Sequence, residues 1–238
     1  MPRLDNRKNN ELRPLIFKPD FAPNADGSVL VELGHTKVLV TAMIEEKVPP
    51  FLEGKNKGWL TAEYSLLPGS TRPRAQREVT RGKPSGRTSE IQRLIGRSLR
   101  AAFNLNELGP RTIAIDADVI NADASTRVAS ICGGFVAVYK ALSRLKEKGL
   151  IAKIPLIEPV SAVSVGVVNG ELLLDLSYNE DSKAEVDCNV IMNKSGQIIE
   201  LQMTAEGKPF SPNVVNQMIE LAHKGIQEII QKQKEFTA

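Results

Sequence analysis

Only two cysteines, Cys132 and Cys188, occur in the 238 residues, far apart and each in an apolar stretch. They give neither a disulfide framework nor a metal-binding spacing, so small buried thiols in a reducing cytoplasm are expected. Histidine is as scarce: His35 and His223 are isolated, and neither has a nucleophile partner in sequence, which leaves a serine or cysteine triad without support. Aromatics reach 5%, so the core must be built mostly of Ile, Leu, Val and Ala. No apolar run has the length of a membrane span, and Arg3, Asp5, Arg7 and Lys8 have no apolar stretch behind them to make a signal peptide. No membrane partner is expected. Linkers and low-complexity segments are also missing, so residues 1–238 read as one α/β domain, large enough to bury roughly 70% of its unfolded surface.

Charge is present in ordinary amount, 25% of residues with a net +3, but it is unevenly placed. From Arg72 to Arg100 stand nine basic side chains against only Glu78 and Glu90, a surplus of +7 that leaves −4 for the rest of the chain. A basic island on an acidic body is the footprint of a polyanion. A salt-bridged helix face explains Arg93, Arg97 and Arg100 as well, since Glu90 shares their side. It does not explain the stretch before Lys83.

The patterning alternates between strand and helix. Runs at 12–18, 28–33, 37–45 and 59–66 read as strands, with a hairpin turn at Gly34-His35. Residues 46–58 and 68–86 are rich in Pro and Gly and read as loops, the second long enough to be functional. Ile91, Leu94, Ile95, Leu99 and Ala102 recur at helical spacing over 88–103. A strand at 111–120 and a helix at 125–148 follow. The second half restarts with strands at 163–168 and 172–176 around Asn169-Gly170, a hairpin echoing the one at Gly34. Strands at 186–193 and 197–203 lead to a helix opened by Ser211-Pro212.

Two places carry candidate chemistry. Residues 121–127 join a strand to a helix start, where free N–H groups and the helix dipole favour an anion and Arg127 adds a forked contact. Capping of the helix by Ser125 or Thr126 is the plainer alternative. Arg87 opens another helix and makes a second phosphate candidate. Asp181 and Asp187 stand six residues apart; on the strand that follows, Val186, Cys188, Val190 and Met192 form the buried set, which turns Asp187 and Asn189 to the other face, with Glu185. Two converging carboxylates can hold Mg²⁺, which keeps several waters and needs few protein ligands; ordinary loop acidity is the alternative. Asp116, Asp118 and Asp123 form a competing acidic cluster with mainly structural roles.

Taken in order, these segments resemble the ribonuclease PH family along nearly the whole chain. The resemblance is carried by Arg3…Arg7…Glu11-Leu12-Arg13-Pro14, Gly27-Ser28-Val29-Leu30-Val31-Glu32 and Gly58-Trp59-Leu60-Thr61-Ala62-Glu63-Tyr64. It continues through the run from Glu90 to Arg100, Ala162-Val163-Ser164-Val165-Gly166 and Thr204-Ala205-Glu206-Gly207. It implies the ribonuclease PH fold (ribosomal protein S5 domain 2-like), with two βαβα-like halves around a shared core, and a homo-oligomeric ring, commonly a hexamer built from dimers. It also implies phosphorolytic trimming of RNA 3′ ends, tRNA precursors first, with inorganic phosphate as co-substrate and nucleoside diphosphates as products. Residue by residue, Arg87, Ser125, Thr126 and Arg127 would bind phosphate. Asp181 and Asp187 would form the catalytic and metal site, and Arg72, Arg74 and Arg77 would contact RNA. The family usually has Gln-Ala-Asp-Gly-Gly-Thr-Arg where this chain has Asn121-Ala122-Asp123-Ala124-Ser125-Thr126-Arg127, so the loop is expected to be less free to adopt unusual backbone angles. Met203 likewise stands where glycine is usual. The rival readings are a noncatalytic RNA-binding subunit of an exosome-like ring, which would typically have lost the arginines or carboxylates, and a metal-dependent hydrolytic nuclease, which needs no phosphate pocket.

Overall fold

The computed structural model of the chain describes residues 3–237, except the side chain of Arg81. The single-domain reading of 1–238 thus runs on to Met1, Pro2 and Ala238, which lie outside the described residues. Five strands, β1 (Leu15–Pro19), β2 (Gly27–Leu33), β3 (Thr36–Glu45), β4 (Trp59–Leu66) and β5 (Thr112–Asn121), form one sheet in the order β1-β2-β3-β5-β4. All neighbours are antiparallel except β4 and β5, whose parallel pairing needs the crossover helix α1 (Gly86–Arg100) between them. The second sheet, β6 (Val160–Val168), β7 (Glu171–Leu174), β8 (Val186–Asn193) and β9 (Ile198–Ala205), is antiparallel in the order β7-β6-β8-β9.

Helix α2 (Thr126–Glu147) packs on β2 and β3 of the first sheet and on β6 of the second, so it lies between the two layers. That position explains its composition. From Val128 to Val138 every side chain is buried, and among the described residues α2 is the one helix with the length and apolarity of a membrane span. The expectation that no run reaches that length has this exception, whose apolar surface is taken up by the two sheets. Close approach demands glycine: a Cβ on Gly133 would lie 2.4 Å from a Val31 methyl. Helix α4 (Pro212–Gln233) packs on β6 and β8, and α3 (Tyr178–Asp181) is a single turn before β8.

Element boundaries differ from the sequence expectations where side chains intervene. Helix α1 starts two residues early because Ser85 caps it, its Oγ accepting from Thr88 N–H at 3.1 Å. The loop at 68–86 contains short 3₁₀ turns at Pro68–Ser70 and Glu78–Arg81. Strand β7 stops at Leu174, not 176, because Asp175 takes a left-handed φ of 54°. Both expected hairpin turns form; Asn169 and Gly170 have φ of 51° and 76°, as a tight turn matched to strand twist requires.

Candidate active site

A cavity of about 490 Å³ opens between the start of α2 and the central strands β6 and β8 of the second sheet, lined by residues from both halves. Arg87, Ser125, Thr126, Arg127, Asp181 and Asp187 all line it. The six residues expected to form the phosphate and carboxylate sites are therefore brought to one place from four elements and a loop.

The loop before α2 is pinned rather than capped. Ser125 occupies the N-cap position with φ 52° and makes no side-chain cap bond. Its Oγ pairs instead with Ser164 Oγ on β6 at 2.9 Å, across the two halves. The alternative of simple capping by Ser125 is not realised, and the loop takes unusual backbone angles even without glycine: Ala124 also has φ 56°. Two consecutive non-glycine residues in the left-handed region cost about 1 kcal/mol or more each. Thr36, fully buried, holds them by donating from Oγ1 to the Ala124 carbonyl at 2.7 Å and accepting from Asp123 N–H at 3.0 Å. First-turn N–H groups of α2, which have no intrahelical acceptor, thus stand at the cavity wall beside Thr126 and Arg127. Tyr64, itself buried, bonds Thr126 Oγ1 at 2.8 Å.

A buried strut ties this loop to the carboxylate side. Arg13 donates from Nε and Nη2 to the two carboxylate oxygens of Asp175 at 3.0 and 2.7 Å, and from Nη1 to the Asp123 carbonyl at 2.6 Å. Asp123 Oδ1 in turn accepts from Tyr178 N–H, the first residue of α3, at 3.0 Å. Burial pulls the Arg13 pKa down, but the bonds and charge of Asp175 outweigh it and hold the guanidinium above its ordinary value. Gly34 makes room: a Cβ there would lie 2.6 Å from Arg13 Cδ.

The two arginines differ in how they are held. Arg127 donates to Gln202 Oε1 at 2.7 Å and Glu90 Oε1 at 3.2 Å, which fixes its fork between α1 and β9. Arg87 lies in the first turn of α1, whose start is braced by Glu78 Oε1 accepting from Thr88 Oγ1 at 2.6 Å. The carboxylates respond to burial and to each other. Burial pushes Asp187 up to about 6, helped by the Asp181 charge and opposed by Arg127 and Arg87. Asp181 is raised as well, by burial, against the pull of Arg87, Arg127 and Arg13. Such a pair is set to take a divalent cation or a proton. Among the described residues no group of three or more His, Cys, Asp or Glu side chains is placed to hold a metal.

The basic loop divides. Arg72 lines the cavity, whereas Arg74 and Arg77 are exposed and do not. Arg72 is brought there by its loop: Ser70 O accepts from Ala122 N–H at 2.9 Å and draws the segment over the end of β5. Asp116 and Asp118 lie apart from the cavity lining. Both cysteines are free and buried, as expected, and burial raises Cys132 to about 11 and Cys188 to about 12. Sequence reasoning gave no role to Arg13, Asp175 or Ser164; nearness of Asn189 to Asp187 was visible in the strand alternation alone.

Arg87, Arg127 and the start of α2 share one cavity with the paired carboxylates Asp181 and Asp187, a set of groups chemically suited to phosphoryl or nucleotidyl transfer. Residues 11–142 match the 3′ exoribonuclease family, domain 1, and residues 158–225 match domain 2 of the same family. The chain is 56% identical over 234 residues to the ribonuclease PH of Syntrophomonas wolfei, covering 98% of each chain. With the ribonuclease PH of Neisseria meningitidis serogroup C it shares 54% over 229 residues, 96% of this chain and 95% of that one. Among solved structures, rice Rrp46 superposes with a TM-score of 0.80 at 19% identity, covering 99% of this chain and 100% of that one. A chain of the Archaeoglobus fulgidus exosome with RNA bound to the active site gives 0.83 at 20%, covering 97% and 92%. The chain belongs to the ribonuclease PH family of 3′ exoribonucleases.

Proposed function

We propose that this cavity is where the chain, a phosphorolytic 3′→5′ exoribonuclease, carries out its reaction. The observation that supports this is the convergence of Arg87, Ser125, Thr126 and Arg127 with Asp181 and Asp187 on one cavity. Inorganic phosphate is held by Arg87, Arg127 and the start of α2, beside the last phosphodiester of the RNA. An oxygen of that phosphate attacks the terminal phosphorus, the bond from phosphorus to the 3′ oxygen of the preceding nucleotide breaks, and a nucleoside diphosphate leaves. The freed 3′ oxygen must be stabilised and protonated. Asp187, with its raised pKa, is suited to hold that proton, and its partner Asp181 faces the same space. The same two carboxylates fit Mg²⁺: both are hard oxygen donors whose ionised forms are disfavoured side by side, and a divalent ion there would supply electrostatic stabilisation of the leaving oxygen. Nucleotide addition from diphosphates is the reverse of the same step.

RNA shortening should require inorganic phosphate and release nucleoside diphosphates, measured by chromatography of the products. Nucleoside monophosphates released without phosphate would overturn the reading in favour of hydrolysis. We assign the chain to tRNA-precursor 3′ ends, to a homo-oligomeric ring, a hexamer as a trimer of dimers, and to the cytoplasm.

Arg74 and Arg77 hold the body of the RNA through its phosphates, which positions it without reading sequence. The Arg74→Ala/Arg77→Ala variant should lose turnover on a folded tRNA precursor and flatten its salt dependence by roughly one unit of log–log slope per lost contact. It should spare a short single-stranded oligonucleotide. Arg72→Ala should impair both substrates. Equal loss on both substrates for the double variant would place Arg74 and Arg77 at the reacting end instead.

A further inference from the structure

The cavity lining also includes residues that the phosphate and carboxylate chemistry leaves unused: Leu66, Ala122 and Ala124 give it apolar surface, and Tyr178 adds an aromatic ring. Tyr178 is 61% exposed, an unusual amount for an aromatic side chain that lines a cavity. Among the described residues its ring pairs with no other ring, and its hydroxyl makes no hydrogen bond. The ring is thus not part of the core. Its backbone is nonetheless held firmly, by the bond from Tyr178 N–H to Asp123 Oδ1 at 3.0 Å and by Ser182 N–H donating to its carbonyl at 3.0 Å. Asp181 lies three residues on, one turn along the same short helix.

We infer that Tyr178 is the stacking platform for the base of the 3′-terminal nucleotide. The proposal rests on the phosphorolytic reading of the cavity and adds the subsite that takes the nucleoside. A nucleotide has one flat apolar part and one anionic part, and the cavity lining offers both an aromatic, apolar surface and an ionic one. Tyr178 shares its helix turn with Asp181 and its cavity with Arg87 and Arg127, so one nucleotide can meet both surfaces. An enzyme that removes successive nucleotides must accept every base at this position. A π-face does so, because all four bases stack, whereas hydrogen bonds to base edges would discriminate. The contact exists in the ground state as much as in the transition state, so it acts on RNA affinity more than on the chemical step.

The test uses two oligonucleotides, identical except that one has an abasic 3′-terminal residue, and measures KM, kcat and equilibrium binding of each. Tyr178→Ala should raise KM for the intact oligonucleotide about tenfold with kcat little changed, the size expected for one stacked base. Tyr178→Phe should behave as the parent, and KM for inorganic phosphate should not move. The parent should lose about the same tenfold on the abasic end, and Tyr178→Ala should lose nothing further there. An unchanged KM in Tyr178→Ala, or an equal loss on intact and abasic ends, would overturn the stacking role. Absence of phosphate-dependent diphosphate release by the parent would overturn the reaction itself, and the binding measurements would still decide the place of the base.

Discussion

Replacing Asp187 with asparagine should abolish turnover and at the same time raise the melting temperature. Turnover should fall on the order of 10²–10⁴-fold, the range for losing a group that moves or holds a proton at the reacting centre. The gain in stability comes from the sign of its shift. The carboxyl has a folded-state value of about 6 against an ordinary 3.8, raised chiefly by burial and then by the neighbouring Asp181. A raised value means the neutral form favours the fold below pH 4, and this contribution is lost as pH climbs to about 6. Above that the ionised, half-buried group costs roughly 2–3 kcal/mol. Asparagine is neutral at every pH, so at pH 8 in Mg²⁺-free buffer the variant should melt several degrees higher. At pH 4 the two proteins should melt together. Calorimetry at both values, with a binding assay to show that RNA is still held, separates this from a folding defect. Near-parent turnover would remove Asp187 from the chemistry, and a lower melting temperature at pH 8 would show that it is held by contacts stronger than its repulsions.

Arg13→Ala should be the most destabilising single change near the cavity. Arg13 is 4% exposed and Asp175 is not exposed at all, and the three bonds from the Arg13 backbone and guanidinium to Asp175 are 2.7 to 3.0 Å long. Breaking a buried pair from one side costs about 3–5 kcal/mol, here leaving Asp175 only its longer ion pair of 3.6 Å with Arg7. Arg13→Met/Asp175→Asn removes both charges and should recover much of that stability. It should not recover phosphate binding, since the hold of Arg13 on the Asp123 carbonyl is gone and the loop at 123–125 is free to relax. Denaturant melts and KM for phosphate, measured on both variants, test the two halves of this statement. A double variant with parent-like KM would reduce the strut to a stabilising role.

What was legible in the sequence follows distance along the chain. Alternation on β8 turned Asp187 and Asn189 away from the core, because side chains on a strand face opposite ways whatever surrounds them. The hairpins at Gly34 and Asn169-Gly170 and the start of α4 were legible for the same local reason. Arg13 with Asp175 was not: 162 residues separate them, and neither lies in a periodic pattern. That Ser125 does not cap α2, the plainer alternative to its phosphate role, was not legible either: its left-handed φ comes with contacts to Thr36 and Ser164 that no local window contains. Arg72 and Arg74 look equivalent in sequence and differ only in how the loop drapes over β5.

The Arg13 strut also sets an order of events during synthesis. Arg13 leaves the ribosome 162 residues ahead of its partner Asp175. The first sheet can pair its strands before then, but Ser125 has no Ser164, and Arg13 meets only the Asp123 carboxylate at 3.4 Å and not the closer one of Asp175. Until the second half emerges, the nascent chain carries an arginine that lacks its closer counter-charge, and a loop whose left-handed turn lacks one of its two holds. A chain caught part-way has the arginines and the helix start of the cavity but neither Asp181 nor Asp187.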